Sequence, residues 1–470
     1  MTQNKKNTQG FKSSDFLGTA DLKPLIWKLG IPAIVAQLVN MLYNMVDRVY
    51  IGHIPGDGAL ALTGLGISFP LIIFMGAFAN IVAMGSAPIS SIALGKKDTD
   101  KAEKIIGNSF TFLILIGFIL TFSFLKYKRD LLFLFGASLN TIEYADSYLG
   151  LYAIGTISVL LSIGMNAFIS AQGFTNKAMQ TVIIGAITNI ILDPIFIFGL
   201  GLGVKGAALA TIISQTISAL WVLHFLTIGK SPLKLRVRNL GLHWKIFGPC
   251  LGLGIAPFIM TSTESALLFV FNSSLLKYGG DIAVGSMTIL SSLLQLCRMP
   301  MFGFDQGAQP VIGYNYGANN KQRTVDATHF MFKMNVSYTL IMFALFELFP
   351  IIFIKIFTSD AALINYSINS LRIYALASGI FGLQGAVQYF MISTGQAKVS
   401  VSIAILRKLI LLIPLIYILP HFFNDPTVGV FVAEPVADTL SVTYSLIMYK
   451  IISRRIFKKM DDENTKVSQS

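Results

Sequence analysis

Long apolar segments, each separated from the next by a short polar loop, recur along the whole chain. A helix that crosses a bilayer needs about 20 mostly apolar residues. Twelve stretches meet this requirement, at 24–52, 59–93, 99–125, 143–170, 172–200, 204–229, 246–278, 282–314, 323–356, 362–392, 396–420 and 428–452. The pattern therefore predicts an all-α polytopic membrane protein with twelve transmembrane helices.

The second half of the chain repeats the first. Glycines and prolines near the ends of the second and eighth segments recur at one constant offset: Gly85, Pro88 and Gly95 correspond to Gly307, Pro310 and Gly317. Gly173 and Gly395 keep the same offset, and Gly30 and Gly254 keep nearly the same one. A nearly constant offset indicates duplication. Because each repeat holds six helices, both halves enter the membrane from the same side as parallel repeats.

This duplication predicts two six-helix lobes with a substrate pathway between them. The predicted parts are a cytoplasmic N-terminal tail (1–23), an N-lobe (24–229), a cytoplasmic linker (230–245), a C-lobe (246–456) and a cytoplasmic C-terminal tail (457–470). Pro232 and Gly241 interrupt the basic linker, as is typical of a loop.

Charged residues make up only 13% of the chain, where a soluble domain has about 25%. The net charge of +13 could suggest a nucleic-acid partner, but most Lys and Arg lie in the predicted inner loops and tails. The predicted outer loops hold six: Lys126, Lys128, Arg129, Lys205, Lys277 and Lys355. This is the positive-inside pattern, which predicts cytoplasmic termini and no nucleic-acid partner. The run from Lys126 to Arg129 fits the pattern poorly.

No motif in the chain predicts a chemical energy source or a cofactor. A GxxxxGK[ST] phosphate loop and an HExxH motif are absent, and the GxGxxG at 201–206 lies between two apolar segments, where a tight turn explains it. Cys250 and Cys297 lie in apolar segments and predict neither a disulfide nor a metal site. The remaining candidate for the energy source is an ion gradient. One charge that crosses 100 mV releases about 2.3 kcal/mol.

Asp47 is the first candidate for binding the coupling ion. It lies deep in the first segment, and Asn40, Tyr43 and Asn44 share its helical face. Ionisable groups at membrane depth are costly and usually functional, and burial favours the protonated form of a carboxylate. An ion pair with Arg48 or an interfacial cap is the structural alternative.

Asp193 is the second candidate, in an apolar segment one turn after Asn189 and directly before Pro194. Pro194 predicts a kink, so Asp193 could instead satisfy backbone groups that the kink frees. Thr211 in the sixth segment could add a hydroxyl to the same pocket, although a membrane threonine commonly serves packing.

In the second half, Glu264 is the best acidic candidate, and Arg298 is either a ligand or the partner of Asp305 further along the same helix. Arg407 and Lys408 are predicted to snorkel to the inner interface.

Five motifs together resemble one transporter family: NMLYNMVDRVYIG, QGAQPVIGYNYGA, TNIILDP, GVKGAALAT and VAEPVAD. Over about residues 24–452 the chain resembles the MATE (multidrug and toxic compound extrusion) family, in its bacterial DinF-like and MepA-like branch. The resemblance implies a V-shaped bundle that exports organic, mostly cationic, drugs in exchange for H⁺ or Na⁺ by alternating access. It also implies a cation-coupling site at Asp47, Asn189, Asp193 and Thr211, which could hold Na⁺.

Another branch of that family uses acidic residues of the C-lobe, where Glu264 could match. The segment at 362–392 has no carboxylate, which departs from that branch. The resemblance further implies a monomer in the bacterial plasma membrane that needs no cofactor. A flippase for lipid-linked saccharides remains an alternative and would need cationic residues along the cleft, where Arg298 and Arg372 are the candidates. A channel or a membrane enzyme is a further alternative.

Overall fold

The computed structural model describes residues 16–55, 58–229, 231–358 and 360–469. These residues fold into helices without strands, and twelve helical units are long and apolar enough to span a membrane. In chain order they are α1 (Leu22–Gly52), α2 (Leu60–Gly95), α3 (Thr99–Leu134), α4 (Ile142–Ile154 with Thr156–Ala171), α5 (Thr175–Gly199), α6 (Val204–Thr227), α7 (Trp244–Gly280), α8 (Ile282–Gly317), α9 (Lys321–Leu348), α10 (Ala361–Tyr374 with Ser378–Ser393), α11 (Ala397–Phe422) and α12 (Pro426–Thr465). The predicted fold class is confirmed.

Ten of these spans in the described ranges are single helices, and α4 and α10 are each bent pairs, by 56° and 49°. The bends occupy equivalent places in the repeat, at Gly155 and at Ala375–Ala377. Two non-glycine residues with positive φ, Lys97 (61°) and Asn319 (55°), are related by the same offset as Gly85 and Gly307. They follow the ends of α2 and α8. The duplication thus extends to local backbone geometry.

Helix α3 is longer than predicted, because it continues to Leu134 instead of ending at 125. Its last turns hold the basic run that fitted the charge pattern poorly. Lys128 Nζ lies 2.8 Å from Asp146 Oδ2, and Arg129 Nη2 lies 2.7 Å from Glu143 Oε1, both on α4. These acids neutralise the basic run locally.

Other boundaries differ at proline residues and at the chain ends. Helix α9 ends at Leu348 rather than 356, because Pro350 starts a separate short helix, Pro350–Ile354. A short helix, Phe16–Thr19, lies within the predicted N-terminal tail, and the last helix continues to Gln469 through the predicted C-terminal tail. The rest of the N-terminal tail, 1–15, lies outside the described residues.

The two lobes meet where α1 crosses α8 and where α2 crosses α7. At the first crossing, a Cβ on Gly307 would lie 2.4 Å from the Gly30 Cα atom. At the second, a Cβ on Gly85 would lie 2.3 Å from the Cys250 carbonyl oxygen, and a Cβ on Gly254 would lie 2.4 Å from the Ile81 carbonyl oxygen. These crossings require glycine and lie in the half of the bundle that carries the chain termini, which we call the inner half.

The linker between the lobes is fastened to the N-lobe. Arg236 Nε lies 2.8 Å from Glu103 Oε2 on α3, and the backbone N–H of Leu233 donates to Gln172 Oε1 at 3.0 Å. The backbone N–H of His243 donates to Asn108 Oδ1 at 2.5 Å. The segment from Ser231 to His243 therefore belongs structurally to the N-lobe.

Candidate functional site

Three helices of the N-lobe bring the predicted coupling residues together. Asp47 comes from α1, Asn189 and Asp193 come from α5, and Thr211 comes from α6; all four side chains are buried. The Asn189 Nδ2 group donates to Asp193 Oδ1 at 3.2 Å and to Thr211 Oγ1 at 3.5 Å. The carboxyl groups of Asp47 and Asp193 are close enough to interact electrostatically. We call these four residues the N-lobe polar site.

Several oxygen atoms of the N-lobe polar site have no hydrogen-bond partner in the described part of the chain. They are Asp47 Oδ1, Asp193 Oδ2 and Asn189 Oδ1. Buried polar atoms are nearly always satisfied, and a carboxylate at membrane depth is costly without a counter-charge. These unsatisfied oxygen atoms lie around two acids. A bound proton or a small cation would satisfy them.

The geometry does not favour the structural alternatives for Asp47 and Asp193. The Arg48 guanidinium lies 4.3 Å above the Phe69 ring, and no ion pair joins it to Asp47 among the described residues. Asp47 is 7% exposed, which is unlike an interfacial cap. A π-helical turn, Ile195–Gly199, follows Pro194, as the predicted kink suggested. The Asp193 carboxylate nevertheless accepts from the Asn189 side chain and not from that backbone.

The rest of the predicted polar face of α1 divides into two parts. Asn44 Nδ2 donates to the Asn40 carbonyl oxygen at 2.6 Å, and Asn40 is exposed. The Tyr43 hydroxyl group instead reaches Asn44 and Gln215 of α6. Tyr43 thus lies beside the N-lobe polar site, whereas Asn40 is removed from it.

Three residues next to the site were missed by the sequence analysis: Tyr148, Tyr152 and Gln215. The Tyr148 hydroxyl group reaches Thr211, and the rings of Tyr148 and Tyr152 stack with centroids 6.3 Å apart. Ser162 Oγ donates to Gln215 Oε1 at 2.5 Å. Two tyrosines one helical turn apart in an apolar segment were the available signal.

The C-lobe holds a group of charged side chains that pair with one another. We call it the C-lobe charge cluster, and its members are Arg298, Arg407, Lys408, Glu264, Glu434 and Asp438. Three positive and three negative charges make the cluster formally neutral. This balance allows ionised groups to persist inside a membrane lobe.

Arg407 lies at the centre of the C-lobe charge cluster. Its Nε donates to Asp438 Oδ1 at 2.6 Å, and its Nη2 donates to Glu434 Oε1 at 2.8 Å. Arg298 lies 3.6 Å from Glu434 and 3.7 Å from Asp438. Both guanidinium groups lie over the Phe381 ring, at 4.1 Å and 5.0 Å from its centroid. The cluster joins α7, α8, α11 and α12, and the Phe381 ring adds a contact with α10.

Two predictions for this region are wrong. Arg407 and Lys408 do not snorkel, because they are buried in a π-helical turn, Leu406–Leu412, where acids of the same lobe surround them. Arg298 pairs with Glu434 and Asp438 and not with Asp305. Glu434 and Asp438 were not chosen as candidates, although they lie in the VAEPVAD motif.

Glu264 is the exposed member of the C-lobe charge cluster. It pairs with Lys408, whose ammonium group also donates to the Met260 carbonyl oxygen at 2.7 Å. Glu264 lies one helical turn beyond Thr261, which accepts a hydrogen bond from Asn80 of the N-lobe at 3.0 Å. The Glu264 carboxylate therefore faces the space between the lobes, beyond their line of contact.

The MatE family model matches two stretches of this chain, residues 32–195 and 257–418. The chain belongs to the MatE family. The two matches begin and end at nearly the same offset that relates the glycines of the internal repeat, so each match covers one lobe. Members of this family are transporters, so the chain is a multi-pass membrane transporter and not an enzyme.

Similar proteins agree with the family. The chain is 25% identical to the multidrug export protein MepA of Staphylococcus haemolyticus, covering 88% of this chain and 92% of that protein. It is 23% identical to MepA of Staphylococcus aureus, covering 91% and 93%. Among solved structures, MATE in the bent conformation superposes with a TM-score of 0.89 at 23% identity, covering 96% of this chain and 99% of that one. An outward-facing multidrug resistance MATE transporter superposes with a TM-score of 0.87 at 23% identity, covering 95% and 99%.

Proposed function

We propose that this transporter exports organic, mostly cationic, drugs in exchange for H⁺ or Na⁺, by alternating access across the cleft between its lobes. The observation that carries the proposal is the N-lobe polar site, where Asp47 and Asp193 each keep an oxygen atom without a partner in the described residues. A coupling ion would bind there. The protein would work as a monomer in the bacterial plasma membrane, with both termini in the cytoplasm and no cofactor.

The alternating-access part of the proposal is supported by where the lobes touch. The glycine crossings of α1 with α8 and of α2 with α7 join the lobes in the inner half. With cytoplasmic termini, this arrangement is an outward-open state. Rocking the lobes about these crossings would expose the cleft to the cytoplasm instead, as in other transporters built from parallel repeats.

Drug export is supported by the names of the relatives and by the chemistry of the cleft. Phe74 and Phe78 of α2 contact Phe258 of α7, with ring centroids 6.2 Å and 4.8 Å apart. Aromatic faces attract planar organic cations. Glu264 lies one to two turns further along α7, and its carboxylate could attract the positive charge of such a molecule.

The flippase alternative receives less support from the charges. A lipid-linked saccharide carries phosphate, which would need unpaired cations along the cleft. Arg298 and Arg407 are engaged by Glu434 and Asp438, and Arg372 lies 3.9 Å from Glu347. The arginines named as flippase candidates are therefore balanced by acids.

The test is efflux of ethidium from liposomes that contain the purified protein, with a proton or a sodium gradient imposed separately. We expect one gradient to drive efflux and Asp47→Asn to lower the rate at least tenfold, because the substituted amide cannot exchange a cation. Asp193→Asn should behave alike. Asp130→Asn, an exposed acid at the end of α3, is the control and should pump normally. Normal efflux in both Asp47→Asn and Asp193→Asn would refute the assignment of the site.

A further inference from the structure

Asp305 is a buried acid that belongs neither to the N-lobe polar site nor to the C-lobe charge cluster. Asp305 of α8 is fully buried, and Asn335 Nδ2 of α9 donates to its Oδ1 at 2.7 Å. Its Oδ2 has no hydrogen-bond partner, and no Lys, Arg or His nitrogen lies within 4.0 Å of it, in the described part of the chain. Arg298, its predicted partner, is engaged by Glu434 and Asp438.

An ionised carboxylate in these surroundings would be poorly stabilised. One amide donor does not replace the hydration of a full negative charge at membrane depth. Asn335 presents its N–H group to Asp305, so the pair offers few oxygen ligands to a metal cation, whereas a proton needs none. The geometry therefore fits a carboxyl group that holds a proton in this conformation.

The neighbours of Asp305 come from α8, α9 and α10. On α10, a Cβ on Gly385 would lie 3.7 Å from Asp305 Oδ2, and Tyr389 is close enough to interact electrostatically with Asp305. On α8, Met301 packs against the same glycine, and on α9 the contact is Asn335. Among the described residues, the titratable group that faces Asp305 is Tyr389, whose phenol is neutral.

Asp305 also lies directly beside the contact between the lobes. Its chain neighbours face the N-lobe: the Phe304 ring packs against Gly30 of α1, and Gln37 Nε2 donates to Gln306 Oε1 at 3.4 Å. The side chain of Asp305 points to the opposite side of α8, into the C-lobe. Ionisation of Asp305 would require α8 to move relative to α9 and α10, and this movement would displace α8 at the crossing with α1.

We propose that Asp305 is a second proton-binding residue of this transporter. It holds a proton while the lobes are in contact in the inner half and releases the proton when α8 moves away from α1. The carboxylic acid becomes a carboxylate and one proton, and no other reactant is needed. This inference rests on the proposed function, because it adds a C-lobe proton to the ion exchange.

The competing explanation is an acid that stays protonated and serves only as a hydrogen-bonding group. Asp305→Asn separates the two, because an amide copies the shape of a protonated acid but cannot release a proton. Infrared difference spectroscopy of the full-length protein in liposomes reads the carbonyl band of a protonated carboxylic acid. The band that disappears in Asp305→Asn belongs to Asp305.

We expect that band to weaken as the pH rises and when ethidium is added. Asn335→Leu, which removes the donor to the carboxylate, should keep the band to higher pH. Proton-driven ethidium efflux should fall at least tenfold in Asp305→Asn. Efflux should be unchanged in Asp326→Asn, which makes the same substitution at an exposed aspartate of α9.

A band that is constant at every pH, or no band at any pH, overturns the proposal, and so does normal efflux in Asp305→Asn. The spectroscopic result does not depend on transport. If the wild-type protein moved no ethidium under either gradient while the Asp305 band still titrated, the proposed drug exchange would fail but proton binding at Asp305 would stand.

Discussion

The buried charges of the C-lobe stabilise the protein only as a complete set. Arg407→Met would leave Glu434 and Asp438 without their nearest cation, and removing one partner of a buried pair costs about 3–5 kcal/mol. We expect a clearly lower melting temperature for the purified protein in detergent. Arg407→Lys should recover part of the loss, because a lysine keeps the charge but not the two-acid geometry.

The exposed Arg455 of the last helix provides the control for this experiment. Arg455→Met should change the free energy of unfolding by less than about 0.5 kcal/mol, as is usual for surface positions. Equal melting temperatures for Arg407→Met and Arg455→Met would mean that the acids of the cluster are not ionised in the folded protein.

We expect Tyr148 to hold Thr211 in position and not to bind the coupling ion itself. Tyr148→Phe removes its hydroxyl group and keeps the ring that stacks on Tyr152. Loss of one such hydrogen bond costs about 0.5–1.5 kcal/mol, so the apparent affinity for the coupling ion should fall about two- to tenfold. The measurement is the ion concentration that gives half-maximal ethidium efflux. Tyr127→Phe, at an exposed tyrosine, should leave this concentration unchanged.

At the level of single helices, the crossing of α1 and α8 depends on the absence of a side chain. Gly307→Ala would place a Cβ 2.4 Å from the Gly30 Cα atom, a distance that forces the helices apart. We expect the lobes to separate in the inner half and ethidium efflux to fall at least tenfold. Gly76→Ala on α2 is the matched control, because its Cβ would meet no atom within 4 Å. Unchanged efflux in Gly307→Ala would show that this crossing tolerates a wider spacing.

The apolar pattern predicted the existence and order of the twelve spans, because a spanning helix needs about 20 predominantly apolar residues. It did not predict where α3 ends, since the last turns of that helix are stabilised by ion pairs with α4. It also gave no sign of the π-helical turn that buries Arg407 and Lys408. Helix ends and irregular turns depend on contacts between helices, which a single segment does not reveal.

The site residues were likewise predictable only where a single segment reveals them. Asp47 and Asp193 were predictable, because a carboxylate in an apolar segment is conspicuous by itself. Their closeness to one another, with Tyr148 and Gln215 beside them, depends on how α1, α4, α5 and α6 pack. Glu434 and Asp438 were overlooked because their role appears only when α12 is placed against Arg407 of α11.

Across the whole molecule, the repeat is symmetric in backbone and asymmetric in charge. The bends of α4 and α10 and the paired positive-φ residues occupy equivalent places. The N-lobe nevertheless keeps acids with unsatisfied oxygen atoms, whereas the C-lobe charge cluster balances each acid with a cation. Duplication therefore supplied two lobes with similar backbones. We infer that only the N-lobe holds a coupling site built from two neighbouring acids.

The N-terminal segment links the two lobes in the inner half. Arg323 of α9 donates to the carbonyl oxygen atoms of Ala20, at 2.8 Å, and Leu17, at 3.3 Å. Asn315 of α8 also donates to Leu17, at 2.9 Å. On the other lobe, Phe16 packs on Gly173, where a Cβ would lie 2.4 Å from the ring. The segment thus holds the lobes together at the closed end of the cleft.

Arg323→Ala should weaken this link and increase the population of molecules that are open in the inner half. Spin labels at positions 227 and 398, both exposed near the inner ends of α6 and α11, would report the separation of the lobes in a protein with Cys250 and Cys297 replaced by serine. We expect a longer-distance population to grow in Arg323→Ala and not in Lys459→Ala, an exposed control. If the distance distribution stayed the same, the contacts of α1 and α2 with α7 and α8 would hold the inner half closed without a measurable contribution from the link through Arg323.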